Sequence, residues 1–538
     1  MPAPGAAVPL AAPAGGAAIA RPDPRDALGG AWMTALSVAV FFPLAVAVLL
    51  LMLRRPRARA VMWAWVGATA LDLVLVAALW VGYVFGDAAG DGFGYEASSR
   101  WIPSVGVGYH IGVDGISLPL LTMTAVLFLA CAIYSVHAVP RRRAREYAVL
   151  FLFLQSVSLG LFVSLDLILF FVFFDLSIVG MYAVIAGWGH GQAGRSALQF
   201  FLYTFTGSLA LLLGFIVLYL GSQPRTFDMV ELARQQPLAG TGLAGGLALL
   251  AVGVGLAVKT PTVPVHTWLP PAHTDAPAAG SAILAGVLLK MGAYGFVRIA
   301  MPLLPGAWRD YAWVIVVVGV VSVLYGALVA LAQPGFKRMV AYTSVNHMGY
   351  IVLGLGAVGV AGSDAADAEA ATLAVTGSVV QMVSHGLLTG ALFLLSGVLY
   401  ERGGTYAMGA YGGVAGLTPR FAAVTAVAAL GALGLPGLSG FIAEFQIFTG
   451  SFGAVPVAVA LALPGIVITA ALFLRALRRI FLGDRALPAG ARMVDLSRPE
   501  MASIVPLLAL SVLIGVVPIV LVEIVVPAAQ AVVAAVTT

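Results

Sequence analysis

Six titratable residues lie inside strongly apolar stretches of this sequence, where charged side chains are rare. They are Asp175, Lys259, Lys290, His347, His385 and Glu444. An ionised side chain at the centre of a bilayer costs roughly 2.5–3.5 kcal/mol on insertion scales, so it needs a partner or a use. Together the six residues predict a chain of proton-transfer sites.

The choice of lysine is informative because the chain has 25 Arg and only 3 Lys. A desolvated lysine ammonium can lose its proton, whereas a guanidinium effectively never does. Lys259 and Lys290 are therefore predicted to carry and release a proton. The structural alternative is that Asp175 and Glu444 are fixed salt-bridge partners and that the two histidines only make interhelical hydrogen bonds.

The composition determines which kind of protein must position these residues. Of the 538 residues, 61% are hydrophobic and 9% are charged, whereas soluble domains carry roughly 25% charged residues. The apolar residues also occur in runs of about 20, the length that a membrane-spanning helix needs. The sequence predicts an all-α polytopic membrane protein.

Charge and cysteine content exclude several other functions. The net charge of +5 comes from basic residues clustered in short loops, which is typical of topology signals, so no nucleic-acid partner is predicted. The single cysteine, Cys131, excludes any cysteine-ligated iron–sulfur or zinc cluster built by this chain alone. No histidine spacing is typical of a metal site. We therefore expect no metal, cofactor or redox centre on this chain.

The hydropathy pattern divides the chain into an Ala/Pro/Gly-rich tail, residues 1–30, and a transmembrane domain, residues 31–538. The tail contains too many helix breakers for a membrane span and is predicted to be disordered. The domain contains fourteen predicted spans, at 31–53, 61–85, 116–136, 146–163, 165–187, 196–220, 243–270, 277–300, 311–333, 338–360, 372–399, 421–449, 454–482 and 501–535.

The basic residues outside the spans test this count. If the loop that contains Arg54 is cytoplasmic, 19 basic residues, among them Lys337, fall on the cytoplasmic side and seven, among them Arg298, on the other. The asymmetry follows the positive-inside rule. It supports an even number of spans in the bacterial cell membrane, with both termini on the outer side.

Spans 7 and 12 are too interrupted to be plain helices. Span 7 contains KTPTVPVHTWLPP and span 12 contains GLPGLSGFIAEF, so Pro and Gly lie in mid-membrane. The breaks are five spans apart. Broken helices at corresponding positions indicate two inverted five-helix repeats with an ion path at the breaks. The repeats are spans 4–8, about 146–300, and spans 9–13, about 311–482.

Four segments resemble a known family. They are GYHIGVDGISLPL (108–120), VKTPTVPVHTWLPPAHTDAPAAGSAILAGVLLKMGAYGFVR (258–298), AYTSVNHMGY (341–350) and GLPGLSGFIAEF (434–445). The chain resembles, over roughly residues 31–530, the M subunit of bacterial proton-pumping NADH:quinone oxidoreductase, respiratory complex I. The central segment is shared with multisubunit cation/proton antiporters, whereas GYHIGVDGIS and a carboxylate in span 12 indicate the M subunit.

The resemblance implies a translocase subunit of the EC 7.1.1 type. FMN, iron–sulfur clusters and quinone would be bound by partner subunits, and L-like and N-like antiporter subunits would be neighbours in the bilayer. By motif match, Asp175 would pair with Lys259, Lys290 and the histidines would form a central axis, and Glu444 would face the exit. The family usually has Glu at position 175, Pro at 180 and Asp at 271, where this chain has Asp175, Gly180 and Pro271.

Two other functions remain open. A subunit of a multisubunit Na⁺/H⁺ antiporter would share the fold and the axis. A structural spacer of the membrane arm would share only the fold, and its buried lysines would be dispensable for proton output.

Overall fold

The structure is a computed structural model that describes residues 24–54, 56–86, 92–138, 143–239 and 242–537. Most of the predicted tail lies outside these residues. The first helix begins at Pro24, within the range predicted as the tail. Proline is well tolerated in the first turn of a helix, where its missing N–H would have no partner anyway. Pro24 therefore does not prevent this early start.

A helical bundle with one β-hairpin forms the first half of the chain. Its elements are α1 (Pro24–Met52), α2 (Ala58–Phe85), β1 (Gly94–Ile102), β2 (Val107–Val113), α3 (Ser117–Ala138), α4 (Ala144–Val163), α5 (Leu167–Trp188), α6 (Ala193–Gly221), α7 (Met229–Gln235), α8 (Leu243–Lys259), α9 (Leu269–Asp275) and α10 (Ala278–Leu303).

The second half of the described chain is helical. Its elements are α11 (Pro305–Asp310), α12 (Ala312–Ala332), α13 (Phe336–Val360), α14 (Ala365–Gly403), α15 (Pro419–Ala432), α16 (Ser439–Phe452), α17 (Pro456–Phe481), α18 (Arg498–Val516) and α19 (Ile519–Thr537). We call the end of the bundle that carries Arg143 and Arg402 the basic face. The end that carries β1 and β2 is called the hairpin face.

Twelve helices of the described chain are long and apolar enough to span a membrane, so this is a multi-pass membrane protein. The twelve leave out the more polar α13 and the interrupted spans 7 and 12. They include both α18 and α19, for which the hydropathy pattern predicts a single span, 501–535. That span is interrupted at Val517, whose φ of −127° and ψ of 66° are not helical, a conformation that the residue before a proline favours.

Both predicted helix breaks are confirmed. Span 7 consists of α8 and α9, separated by Thr260–Trp268, and span 12 consists of α15 and α16, separated by Leu433–Leu438. In the second break Gly434 and Gly437 have φ of 80° and 91°, a conformation that side chains with a Cβ rarely adopt.

Hydrogen bonds from neighbouring elements satisfy polar groups at the breaks. In span 7, Val263 N donates to Ser322 Oγ over 3.0 Å, and Trp268 Nε1 donates to Val258 O over 2.9 Å. In span 12, Ser439 Oγ lies 2.7 Å from Ser511 Oγ. Interrupted helices are tolerated in hydrocarbon only where such partners exist.

The two five-helix units pack in the same order. In the first unit α4 packs on α5, α5 on α6, and α6 on α8; in the second, α12 packs on α13, α13 on α14, and α14 on α16. Because each unit crosses the membrane an odd number of times, the second unit starts from the opposite face. Helix α14 is one unbroken helix of 39 residues and contacts α3, α10, α13 and both halves of span 12.

A cluster of acidic residues around His110 attaches the β-hairpin to the bundle. His110 Nδ1 lies 2.5 Å from Asp228 Oδ2, and its Nε2 lies 2.8 Å from Glu96 Oε1. Asp166 caps α5 by accepting from Ile168 N and Leu169 N, and its other oxygen accepts from a hairpin amide. Burial alone would lower the pKa of His110, but the two carboxylates outweigh it and raise the pKa above its ordinary value.

This arrangement makes hairpin attachment dependent on pH. Because the pKa of His110 is higher in the folded state, its protonated ring stabilises the attached hairpin. This stabilisation is complete below about pH 6.5 and is lost as the pH rises through the folded-state pKa. We expect His110→Gln to lower the local opening free energy of the hairpin by about 1–2 kcal/mol at about pH 5.5. Hydrogen–deuterium exchange of β1 and β2 amides measures this free energy.

The matched control is His137→Gln, because His137 is exposed at the end of α3. Exchange in the control should equal that of the unaltered chain at both pH values. The difference caused by His110→Gln should shrink near about pH 9, where the histidine loses its charge. A difference that stays constant between the two pH values would contradict this role of His110.

Candidate functional site

Lys259 is the last residue of α8 and lies at the break of span 7. Its side chain is buried, and its Nζ donates to Ser177 Oγ over 2.8 Å. The same Nζ lies 4.6 Å from the centre of the Phe174 ring. Both contacts come from one face of α5, because residues three apart are neighbours on a helix. A hydroxyl and an aromatic face therefore hold this ammonium.

Asp175 lies between these two contacts along α5 but on a different face. It is half-buried, its Oδ1 has no hydrogen-bond partner, and among the described residues it forms no ion pair with Lys259 within 4.0 Å. The close pairing that the resemblance implies is thus absent from this conformation. Lys259 donates a hydrogen bond to Ser177 instead. Aspartate is one methylene shorter than the usual glutamate, which reduces its reach. We call Asp175, Ser177 and Lys259 the α5–α8 cluster.

Lys290 lies in α10 between two π-helical turns, Leu284–Leu288 and Phe296–Ala300. Its buried Nζ donates to Ala285 O over 2.6 Å and lies 2.6 Å from His385 Nδ1. A π-turn shifts the usual i to i−4 hydrogen bonds, and π-turns are frequent at functional sites. The local winding of α10 thus helps to supply a partner for the ammonium.

The three other predicted residues surround a small cavity beside Lys290. The rings of His347 and His385 have centroids 5.3 Å apart, and His347 Nε2 lies 3.1 Å from Ala432 O at the end of α15. Glu444 is buried on α16, and its carboxyl group lies against Gly434. All three side chains line a cavity of about 10 Å³, roughly the space that one water needs.

The hydrogen-bond partners suggest which ring atoms carry protons. If Nζ of Lys290 donates to His385 Nδ1, the neutral imidazole carries its proton on Nε2; if His347 Nε2 donates to Ala432 O, its Nδ1 is an acceptor. His385 Nε2 and His347 Nδ1 have no partner within the described protein. One donor and one acceptor are thus left for a bridging water. We call Lys290, His385, His347 and Glu444 the central cluster.

The structure therefore sorts the six predicted residues into two groups. Four of them form the central cluster, and two belong to the α5–α8 cluster. Helices α8 and α10 approach closely at Gly292, where an added Cβ would meet Leu256 O and Thr260 within 3 Å. Close backbone packing thus brings the two clusters onto adjacent helices.

Sequence reasoning missed Lys337. It was counted as a loop residue, but it is fully buried in the first turn of α13, and its Nζ donates to Ala276 O over 2.5 Å, with Tyr406 below it. A signal was available: Lys337 is the third lysine of a chain that otherwise uses arginine. The argument that selected Lys259 and Lys290 applies equally to it.

Two histidines near Lys337 were also missed. His190 Nδ1 lies 2.7 Å from Asp275 O, and its Nε2 lies 3.0 Å from the Tyr406 hydroxyl. His273 is fully buried, stacks on Phe393, and has no partner for either ring nitrogen within the described protein. His190 lines a cavity of about 200 Å³ at the basic face. These residues extend the polar interior toward that face.

Arg298 was counted among the basic residues of the outer loops, and the structure contradicts this. It is buried in the second π-turn of α10 and forms an ion pair with Asp114, with Nη2 and Oδ2 2.5 Å apart. The predicted span ended at residue 300, so Arg298 lay at its boundary. Hydropathy alone cannot tell whether a residue at such a boundary faces water or protein.

Comparison with known proteins identifies the class to which this fold and site belong. Residues 164–469 match the family model described as NADH:quinone oxidoreductase/Mrp antiporter, TM. This range includes the α5–α8 cluster and the central cluster. The chain therefore belongs to this family of antiporter-like membrane subunits.

Individual relatives narrow the assignment. The chain is 36% identical over 435 residues to the NADH-quinone oxidoreductase subunit M of Rickettsia prowazekii, covering 80% of this chain and 85% of that protein. It matches a chain of Thermus thermophilus respiratory complex I with a TM-score of 0.82 and 29% identity, over 93% of this chain and 99% of that chain. The resemblance to the M subunit of complex I is thus confirmed.

A second solved structure shares the fold. A chain of the Mrp complex from Dietzia sp. DQ12-45-1b matches with a TM-score of 0.78 and 23% identity, over 95% of this chain and all of that chain. At this identity the likeness concerns the fold alone. The antiporter-like architecture is therefore shared by proteins of different complexes.

The α5–α8 cluster generates a prediction. Ser177→Ala removes the hydroxyl that holds Lys259, and we expect proton translocation by the assembled complex to fall about fivefold, the equivalent of about 1 kcal/mol for one hydrogen bond. Asp175→Glu adds one methylene and should allow direct pairing, so it should be tolerated or improve translocation. The double variant should recover part of the loss. Proton uptake by reconstituted vesicles measures all three.

Ser158→Ala is the matched control, because Ser158 is also buried but its hydroxyl bonds only to Leu154 O of its own helix. It should translocate protons like the unaltered chain. A large loss in Asp175→Glu would mean that the shorter side chain is required in this scaffold. Normal translocation in Ser177→Ala would show that the Ser177 hydroxyl has no role in this site.

Proposed function

We propose that this chain is a proton-translocating membrane subunit of NADH:quinone oxidoreductase. The observation that carries the proposal is the central cluster, in which His385, His347 and Glu444 line one cavity near the break of span 12 and Lys290 contacts His385. A fixed structural pair would place the lysine on the carboxylate. Here Lys290 contacts an imidazole and a backbone carbonyl instead.

The proposed path begins at Lys259 and runs across the membrane domain. When Asp175 approaches Lys259, its negative charge favours the protonated amine, which takes a proton from the cytoplasmic side. When the pair opens, as in this conformation, Lys259 keeps only uncharged partners, the Ser177 hydroxyl and the Phe174 ring. The charged form is then less favoured, and the proton moves through Lys290 and the two histidines to Glu444.

The energy required is modest. Moving one charge against 100 mV costs about 2.3 kcal/mol, the equivalent of a pKa change of about two units. Opening or closing one ion pair in a low-dielectric interior has an effect of this size. A conformational or electrostatic signal from redox chemistry in other subunits is therefore a sufficient drive.

The assignment implies partners and an orientation. L-like and N-like antiporter subunits would flank this chain in the membrane arm, and FMN, iron–sulfur clusters and quinone would be bound elsewhere in the complex. The protein would lie in the bacterial cell membrane with the basic face toward the cytoplasm. Both termini would then lie on the outer side, provided that α18 and α19 together cross the membrane once, as the predicted span 501–535 does.

The principal rival is a subunit of a multisubunit Na⁺/H⁺ antiporter, favoured by the fold shared with the Mrp complex. Gentle purification from membranes, followed by identification of the co-purifying chains, separates the two. We expect flavin- and iron–sulfur-containing subunits and NADH-driven proton uptake that does not require Na⁺. Salt-dependent exchange without redox subunits would establish the antiporter instead.

Lys259→Arg tests whether deprotonation is the reason for the lysine. Because a guanidinium keeps its charge, we expect this variant to lose proton pumping nearly as fully as Lys259→Ala. NADH oxidation and proton uptake are measured together in vesicles that contain the whole complex. Full pumping by Lys259→Arg would contradict proton transfer through this residue.

Arg309→Lys is a matched control for a swap between the two basic side chains, because Arg309 is exposed at the end of α11. It should pump normally. A structural spacer makes a different prediction: all lysine variants would pump like the unaltered chain, and only deletion of the whole chain would have an effect, by preventing assembly.

A further inference from the structure

Lys290, Tyr294 and Arg298 follow one another along α10 at intervals of four residues, which places them close to one face of the helix. The residues run from the middle of the bundle toward the hairpin face over about 12 Å, since a helix rises 1.5 Å per residue. All three side chains are buried. This face of α10 thus carries a line of polar side chains from Lys290 toward the hairpin face.

Arg298 closes that line with contacts on several sides. Its Nη2 lies 2.5 Å from Asp114 Oδ2, and its Nε donates to the Tyr294 hydroxyl over 3.2 Å. Its guanidinium lies 4.9 Å from the centre of the Phe93 ring. Tyr83 of α2 also lies near both charges, and its hydroxyl contacts the backbone of Gly115, next to Asp114.

Asp114 is itself held in place by the start of α3. Its Oδ1 accepts from Ile116 N over 3.1 Å and from Ser117 N over 2.9 Å, while Oδ2 accepts from Arg298. The carboxylate therefore joins the first turn of α3 to the second π-turn of α10. The position of the guanidinium is consequently fixed from both helices.

A guanidinium differs from every group of the central cluster in one respect. It keeps its proton throughout the physiological pH range, so it cannot accept and release a proton as lysine, histidine and glutamate do. A permanent positive charge in a narrow polar path also repels protons and cations, a device used in other membrane pores. Arg298 can therefore block proton movement but cannot relay it.

We propose that the Arg298–Asp114 pair is a fixed-charge barrier that closes the first five-helix unit toward the hairpin face. The proton on Lys290 then leaves only sideways, through His385 and His347 to Glu444 in the second unit. The barrier prevents a short circuit across the first unit. This inference rests on the proposed proton path, and it assigns a role to two residues outside that path.

Three variants separate a charge barrier from a simple structural link between α3 and α10. Arg298→Gln removes the charge and keeps hydrogen-bonding capacity. Asp114→Asn keeps the arginine charge and can still cap α3, because asparagine is an equally good cap. Arg298→Lys keeps a charge that can be discharged. A charge barrier predicts different behaviour for the three, whereas a structural link predicts similar losses.

Passive proton influx into vesicles that contain the whole complex, driven by an imposed potential, is the direct measurement. We expect Arg298→Gln to raise the influx roughly tenfold, because a buried charge is a large barrier at low dielectric, and to lower the protons moved per NADH oxidised. Asp114→Asn should stay as tight as the unaltered chain. Arg298→Lys should leak little at about pH 6 and more at about pH 9, as the amine discharges.

The control is Arg402→Gln, which breaks the ion pair with Glu500 at the basic face, where Nη2 and Oε2 are 2.8 Å apart. It should not leak. Tight vesicles in both Arg298 variants would overturn the barrier, as would equal leakage in Asp114→Asn and Arg298→Gln. If Arg298→Gln fails to assemble, the pH dependence in Arg298→Lys decides.

The measurement distinguishes failure of this proposal from failure of the proposed function. Loss of pumping in Lys259→Arg tests the path itself and does not depend on Arg298. If vesicles with the Arg298 variants do not leak while pumping still depends on Lys259, the barrier proposal alone is refuted. Normal pumping by Lys259→Arg would refute the proposed proton path, whether or not the Arg298 variants leak.

Discussion

The structure depends on how a lysine ammonium is held in hydrocarbon without a counter-charge. Among the described residues, no lysine has a carboxylate within 4.0 Å. Lys259 uses a serine hydroxyl, Lys290 a carbonyl beside a π-turn and an imidazole, and Lys337 a carbonyl just after α9. Helix irregularities supply or adjoin all of these positions. A neutral partner steadies the side chain without fixing its protonation state.

Two arginines with little exposure follow the opposite rule: Arg298 is buried, and Arg402 is partly buried. Arg298 is paired with Asp114, and Arg402 is paired with Glu500. Truncating one partner of a buried ion pair is costly because it leaves an uncompensated charge. Such pairs therefore suit positions where the charge must not change. The division of labour follows from the two side chains themselves, because only lysine can be discharged by desolvation.

Hydropathy and backbone breakers were sufficient to predict most of the fold. Runs of about 20 apolar residues predicted the helices, and Pro and Gly in mid-membrane predicted both breaks, since proline cannot donate and glycine adopts positive φ. Chemistry within those runs selected the six proposed residues. The sequence did not reveal where each helix ends or which way the side chains near its ends point. Lys337 and Arg298 lie within a few residues of predicted span ends, and nothing in a hydropathy profile tells which way a side chain there points.

Ser177 shows a second reason why the site was only partly predictable. A serine in an apolar helix is common, and its hydroxyl usually bonds to its own helix, as that of Ser177 does with Phe174 O over 2.6 Å. Its contact with Lys259 depends on the packing of α5 against α8. Pairing between helices depends on the fold. The sequence therefore reveals that Asp175 replaces the usual glutamate, but it does not reveal that Ser177 becomes the partner of Lys259.

The unbroken length of α14 has a mechanical consequence. At 1.5 Å per residue its 39 residues span about 58 Å, roughly twice the hydrocarbon thickness. His385 lies near the midpoint of this rod, and Glu401 and Arg402 lie at its far end, where they join Tyr134 and Glu500. A long unbroken helix transmits displacement along its axis. Movement of either end of α14 would therefore reach the imidazole of His385, which contacts Lys290. Neighbouring chains could thus act on the proposed proton path without contacting it.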